Sequence, residues 1–318
     1  MSALPSAVHA IGVDVGGTKT AALRVNEEGH VLARVTVSTP AENEEATIEG
    51  MIEAAREIMT PDVGAIGISA AGLVDVDGVL RFAPNLSWRD ADLIGRVGRE
   101  LGLPVTADND NTAAVWGEFR CGAGRGRRNL LLVGVGIGIG GGIVADGRLF
   151  RGAHGFAAEI GHIIVEPGGP RCGCGNLGCW EQVASGTTIT RAGRAAVTRH
   201  PHSTLAELVS GDAERVTGEL VTTAARRGDP AAMGILVEVG HRLGEGIAGL
   251  VNVLDPELVI VGGGASEAGD LLLEPARAAC SGAIIALDWR PEVPLVAAEL
   301  GNDAGAIGAA LLTLEGRS

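Results

Sequence analysis

Short apolar runs that end in glycine clusters recur along this chain. Residues 10–15 are apolar apart from Gly12 and Asp14 and run into Gly16-Gly17-Thr18-Lys19. A second run, 20–25, meets a turn at 26–29, and 31–37 follows, so the pattern predicts strand, glycine turn, strand, turn, strand. Residues 42–59 place Ile48, Met51 or Ile52, Ala55, and Ile58 or Met59 at helical spacing and stop before Pro61, which predicts a helix. A buried strand is expected over 63–69, closed by Ala70-Ala71-Gly72.

The second half repeats the plan. A strand is predicted at 129–135, followed by a glycine-rich turn, the pair Ile143-Val144 and a turn at 145–147. Helical periodicity occupies about 231–254, and a strand at 258–261 ends in Gly262-Gly263-Gly264. Two copies of strand, glycine turn, strand, each followed by helices and another strand–glycine junction, suggest an internal duplication. The expected fold is α/β, with two lobes around an interdomain cleft where ligands bind. The first lobe spans 1–116 and the second 117–299. The Ala- and Gly-rich stretch 301–314 is expected as a helix that crosses back, so that 300–318 completes the first lobe.

Composition narrows the partners. A formal charge of −14 over 318 residues argues against nucleic acid or an anionic membrane surface. It leaves room for phosphorylated ligands held by backbone amides and Mg²⁺. The most apolar long stretch, 130–145, is interrupted by six glycines and is too short to span a bilayer. No basic start followed by an apolar stretch marks a signal peptide, so a cytoplasmic protein with reduced cysteines is expected.

Three clusters carry candidate chemistry. Three of the five cysteines, Cys172, Cys174 and Cys179, crowd into eight residues separated by glycines. Three thiolates need a fourth ligand to close a tetrahedral zinc site, and His162 is the nearest imidazole. A disulfide or free thiols are the alternatives, and the absence of a secretory context favours the metal. Glu159 and Glu181 flank the cluster. In the first glycine turn, Gly16 and Gly17 would let backbone N–H groups approach phosphate, Thr18 and Lys19 offer a hydroxyl and a cation, and Asp14 could orient hydrated Mg²⁺; a plain tight turn is the bland reading. In the second turn, Gly136, Gly138 and Gly141 match the dinucleotide fingerprint, but that fingerprint needs a helix next and a strand follows here. Finally, Asp108-Asn109-Asp110-Asn111 packs four polar residues before a helix that needs only one as a cap.

Together, residues 14–19, 136–142 and 254–264 resemble the two phosphate segments and the adenosine segment of the actin-like (ribonuclease H-like) ATPase superfamily. Adding Glu159-Ile160-Gly161-His162 and the cysteine run through Glu181 makes the chain similar to the repressor, open reading frame and kinase (ROK) family from about residue 10 to 312, most of all to its bacterial ATP-dependent glucokinases. The resemblance implies phosphoryl transfer from ATP, with Mg²⁺ and a structural Zn²⁺, to the 6-hydroxyl of glucose or a related hexose, in a homo-oligomer, dimer or tetramer. It assigns Asp110 as catalytic base and Asn85, Asn109, Asp110, Glu159, His162 and Glu181 to the sugar. Nucleotide contacts fall to Asp14, Gly16, Gly17, Thr18, Lys19, Gly138, Gly140, Gly141, Gly262, Gly263 and Gly264. The zinc ligands become His162, Cys172, Cys174 and Cys179, with the second nitrogen of His162 turned toward the sugar.

The chain departs from the family pattern in three places. Asp108 replaces a glutamate, Ile137 replaces the usual threonine of the second phosphate loop, and Ala158 stands where glycine often precedes Glu159. The family also contains sugar-responsive repressors, whose DNA-binding domain would precede the first phosphate loop, a region that is short here. A non-catalytic sugar sensor would fit the Ile137 change, and Asp110 with the first loop argues against it.

Overall fold

The computed structural model describes residues 9–83 and 88–315. In chain order the strands and α-helices are β1 (His9–Val15), β2 (Lys19–Asn26), β3 (Val31–Ser38), α1 (Glu44–Glu57), β4 (Val63–Ala70), β5 (Leu73–Val74), β6 (Leu80–Ala83), β7 (Trp88–Ala91), α2 (Leu93–Leu101), β8 (Val105–Asn109) and α3 (Asp110–Cys121). They continue with β9 (Leu130–Val135), β10 (Ile139–Ala145), β11 (Arg148–Leu149), α4 (Glu181–Ala184), α5 (Gly186–Arg199), α6 (Thr204–Leu208), α7 (Gly218–Arg226), α8 (Pro230–Leu254), β12 (Leu258–Gly262), α9 (Asp270–Ala283), β13 (Leu295–Ala297) and α10 (Ala304–Glu315). The fold is mixed α/β, as the alternating runs predict. It divides into two compact units: the described parts of Met1–Leu132, Gly142–Ala158 and Glu299–Ser318, and the parts Val133–Gly141 and Glu159–Ala298.

The first unit is built on a sheet in the order β3-β2-β1-β4-β8. β1 pairs antiparallel with β2 and parallel with β4, and β4 pairs parallel with β8. β1 and β4 are buried on both faces, which explains why they read as near-continuous apolar runs. β3, at the edge, alternates between exposed and half-buried positions. One face carries a core that includes Ile11, Val13, Ile48, Met51, Ile66 and Ile68. Trp88 joins that core at 2% exposure, so it packs.

The C-terminal helix α10 lies against the same unit through very close backbone approaches. A Cβ on Gly12 would come within 1.8 Å of the Ala306 carbonyl oxygen, and one on Gly67 within 1.9 Å of that of Ala309. α10 meets α3 the same way, with Gly308 against the Ala113 carbonyl. α10 seats against this sheet because two adjacent central strands each present a glycine to it.

The other five-stranded sheet runs in the order β11-β10-β9-β12-β13, with β12 and β13 parallel. Helix α8 packs on α9, the Gly244 position lying against the Ala276 carbonyl, and Asp229 with Pro230 caps its start. Trp180 is buried, and its indole N–H donates to the Arg242 carbonyl of α8 at 3.0 Å, which anchors the cysteine-bearing segment to the helices. Among the described residues, no helix is long and apolar enough to cross a membrane.

Candidate active site and metal cluster

In the first unit the β1–β2 turn and the start of α3 bring acidic groups together. The turn closes with the Gly16 N–H donating to the Lys19 carbonyl at 3.0 Å. Thr18 and Lys19 are exposed at its tip, and Asp14 sits at its base, partly covered. The Ser69 hydroxyl at the end of β4 donates to Asp14 Oδ1. A Cβ on Gly305, at the start of α10, would lie 2.9 Å from that oxygen. Burial, reinforced by the charges of Asp110 and Asp303 and opposed by the Ser69 hydrogen bond, pushes the Asp14 carboxyl up to about 6.

Asp110 opens α3, and only Asn109 of the four-residue polar run serves as its cap. The Asn109 carbonyl oxygen Oδ1 accepts from the Asn111 and Thr112 amides at 2.9 and 3.1 Å. Its Nδ2 donates to Gly72 O at 3.0 Å and to Asp110 Oδ1 at 2.9 Å. All four hydrogen-bonding positions of that side chain are therefore taken within the protein. Asn111 Nδ2 adds a second donor to Asp110 Oδ1 at 3.0 Å, so two side-chain amides hold one carboxylate oxygen. Burial raises the Asp110 pKa against those hydrogen bonds. Asp108 points elsewhere. Arg151 Nε and Nη2 both reach its Oδ2 at 2.7 Å, its Oδ1 accepts from the Asn109 N–H at 2.9 Å, and burial still holds its pKa above the usual carboxylate range.

In the second unit, one imidazole and three thiols converge as the sequence predicts. The ligand atoms of His162, Cys172, Cys174 and Cys179 all lie within 4.8 Å of one another. Cys174 Sγ and Cys179 Sγ are 3.6 Å apart, and Cys172 Sγ is 3.7 Å from His162 Nδ1. These separations exceed the roughly 2.05 Å of a disulfide. They match the edge of about 3.8 Å that a tetrahedron with Zn–S bonds near 2.3 Å would have. Burial and the Glu181 carboxylate push the Cys172 thiol up to about 12, so a bound cation is what would make a thiolate of it at neutral pH. The donor set fits zinc.

Around the cluster, Glu181 Oε1 accepts from Cys172 Sγ at 3.0 Å and lies 4.0 Å from His162 Nδ1, while Glu159 Oε2 lies 4.0 Å from His162 Nε2. The imidazole thus turns one nitrogen to the sulfurs and the other to Glu159. Glu181 Oε2 occupies the space a Cβ on Gly138 would need, 2.3 Å away, which places the carboxylate against the β9–β10 turn. Gly263, at a positive φ of 80°, packs on Val135 at the foot of that turn, its would-be Cβ 2.6 Å from the Val135 carbonyl oxygen. The end of the segment 254–264, expected to face adenosine, therefore adjoins the β9–β10 turn. Ile137 stands at the tip, 76% exposed. Asn85 lies outside the described residues. The sequence reading did not single out Ser69, Arg151, Asp303 or Thr187; only the Ser185-Gly186-Thr187 run, shaped like a helix start, offered a local signal.

These strands, turns and clusters define the actin-like fold of a sugar-kinase superfamily. The model of the ROK family matches residues 10–315, and the chain belongs to that family. It is 43% identical over 310 residues to the glucokinase of Streptomyces coelicolor, covering 96% of this chain and 97% of that one. The crystal structure of a ROK family glucokinase from Streptomyces griseus in complex with glucose and AMPPNP superposes with a TM-score of 0.90 at 42% identity, over 96% of this chain and 99% of that one. The xylose repressor of Bacillus subtilis is 26% identical over 96% of this chain and 77% of its own length.

Proposed function

We propose that the protein is an ATP-dependent glucokinase that transfers the γ-phosphoryl group of ATP to the 6-hydroxyl of glucose. The observation that carries this reading is Asp110. Its carboxylate is fixed by two amides on one oxygen at a helix start beside Asp14 and Ser69, in a chain similar over nearly its whole length to glucokinases. In this reading Asp110 accepts the proton of the sugar hydroxyl as it attacks phosphorus, and positioning of the two substrates supplies most of the acceleration. Asn109, whose side chain is fully used, orients Asp110 and the helix start. The β1–β2 turn brings Lys19 and Thr18 to phosphate, and the segments 138–141 and 262–264 take the rest of the nucleotide.

Mg²⁺ fits the first unit, because Asp14 already feels the charges of Asp110 and Asp303 and a cation would relieve that repulsion. When bound it neutralises charge on the transferring phosphoryl group. Zinc in the His162–cysteine cluster would act as an organiser that fixes His162 and, through it, Glu159. Glu159, His162 and Glu181 would bind the sugar ring.

A coupled assay of MgATP consumption across glucose, mannose, fructose, N-acetylglucosamine and N-acetylmannosamine tests the reading. Preference for glucose is expected. Turnover of another hexose would keep the chemistry and change the substrate, and no turnover by zinc-loaded protein that binds glucose would point to a sensor.

A further inference from the structure

The second phosphate turn lacks a side-chain donor at its tip, yet its backbone is not left bare. Each of its three carbonyls has a donor: Gly136 O accepts from the Gly186 N–H at 2.8 Å, and Gly138 O from the Gly136 N–H at 3.0 Å. Ile137 O accepts from Thr187 Oγ1 at 2.7 Å and from the Thr187 N–H at 3.4 Å. Among the described residues, the N–H groups of Ile137 and Gly138 make no hydrogen bond. The donors on the Gly136 and Ile137 carbonyls come from the first residues of α5, a helix of 14 residues whose N-terminal end carries partial positive charge.

We infer that Thr187 is a positioning residue for the phosphoryl donor, its hydroxyl covering the Ile137 carbonyl so that the tip presents N–H groups alone to phosphate. The inference rests on the phosphoryl-transfer reading above. A phosphate oxygen placed near a bare carbonyl would be repelled by its lone pairs. A donor on that carbonyl cancels the repulsion and polarises the adjoining peptide, so its N–H becomes a stronger donor. Glu181 raises the requirement, since its carboxylate lies against Gly138 and adds negative charge beside the same turn. Thr187 is exposed, so its role is not to fill the core. A hydroxyl 50 residues away in sequence thus serves this turn from behind.

The test compares Thr187→Val, which keeps the branched shape and removes the hydroxyl, with Thr187→Ser, which keeps the hydroxyl. Steady-state kinetics give KM for ATP and for glucose, titration of a non-hydrolysable ATP analogue gives nucleotide affinity without turnover, and thermal melting checks the fold. For Thr187→Val we expect KM for ATP and the analogue Kd to rise roughly five- to tenfold, the loss of one hydrogen bond near a charged ligand. The glucose KM, kcat and melting temperature should stay near wild type, and Thr187→Ser should restore ATP affinity. Unchanged analogue affinity in Thr187→Val, an equal rise in the glucose KM, or failure of serine to rescue would overturn the inference. A wild-type protein that turns over no sugar would sink the phosphoryl-transfer reading alone, because the analogue titration would still decide the part played by Thr187.

Discussion

The β1–β2 and β9–β10 turns are built from the same strand–glycine–strand pattern and present opposite surfaces. The first carries its chemistry on side chains, with Asp14 at the base and Thr18 and Lys19 exposed at the tip. The second has an isoleucine at its tip, and its Gly136 and Ile137 carbonyls are covered by the start of α5. Side-chain chemistry is local and can be changed by one substitution. Backbone chemistry is assembled from a distant segment, and single changes at the turn itself should matter less. The two turns should therefore respond very differently to mutation.

The largest effect is expected at Asp110. Asp110→Asn keeps the size and the helix start and removes the base, so kcat should fall about 10²–10⁴-fold while glucose still binds. Because burial raises its pKa, the acid limb of the wild-type pH–rate profile should lie above the range of an exposed aspartate. Near-normal turnover in the variant would remove Asp110 from the reaction. In the second unit the corresponding break is Cys174→Ser. Removing one of four donors should weaken metal binding by more than the roughly 10–100-fold typical of losing an outer partner. Elemental analysis after dialysis should find about one zinc per wild-type chain and little in the variant. A metal-free wild type would end the zinc reading.

Asp14 sharpens the contrast through stability. Its folded-state pKa of about 6 lies above the 3.8 of an exposed aspartate, so the folded chain keeps a proton that the unfolded chain releases. From pH 3.8 upward the folded state therefore loses stability. Above about 6 the whole penalty is present, on the order of 3 kcal/mol for a shift near two units. Asp14→Asn should stabilise the protein by up to that amount at pH 7.5 in urea unfolding and by almost nothing at pH 4. Equal effects at both pH values would show that charge is not the cause. The first turn thus sacrifices stability for an acidic site.

The strands and the His162–cysteine cluster were legible because each rests on residues close in sequence or on a spacing with one chemical use. The engagement of Asn109 was not, since a helix cap and a ligand contact demand the same residue type at the same place. The pairing of Asp108 with Arg151 and the covering of Ile137 by Thr187 were hidden for another reason. They span 43 and 50 residues and depend on register that only the folded chain fixes. Ala158 is an intermediate case. The family's glycine there looked like a small change, but Ala158 adopts φ of 69°, a left-handed conformation that glycine enters without strain. Ala158→Gly should raise stability by roughly 1 kcal/mol through relief of that strain, less what the added freedom of the unfolded chain takes back. A loss of stability would mean that the methyl group contributes more packing than the backbone loses.

The smallest expected effect is the most direct test of the two-turn contrast. Ile137→Thr restores the family's hydroxyl at an exposed tip. If side-chain donors governed both turns, one charge-assisted hydrogen bond to phosphate would lower the KM for ATP about tenfold or more. With the Gly136 and Ile137 carbonyls already covered from α5, the amides of Ile137 and Gly138 would do that work, and the change should stay within about threefold. In a Thr187→Val background the cover is gone, so the same Ile137→Thr change should then have a larger effect than in wild type. Non-additivity of this kind is expected of residues that serve one turn from opposite sides. Strict additivity would mean that the two hydroxyls act independently and that the second turn, like the first, is read by side chains.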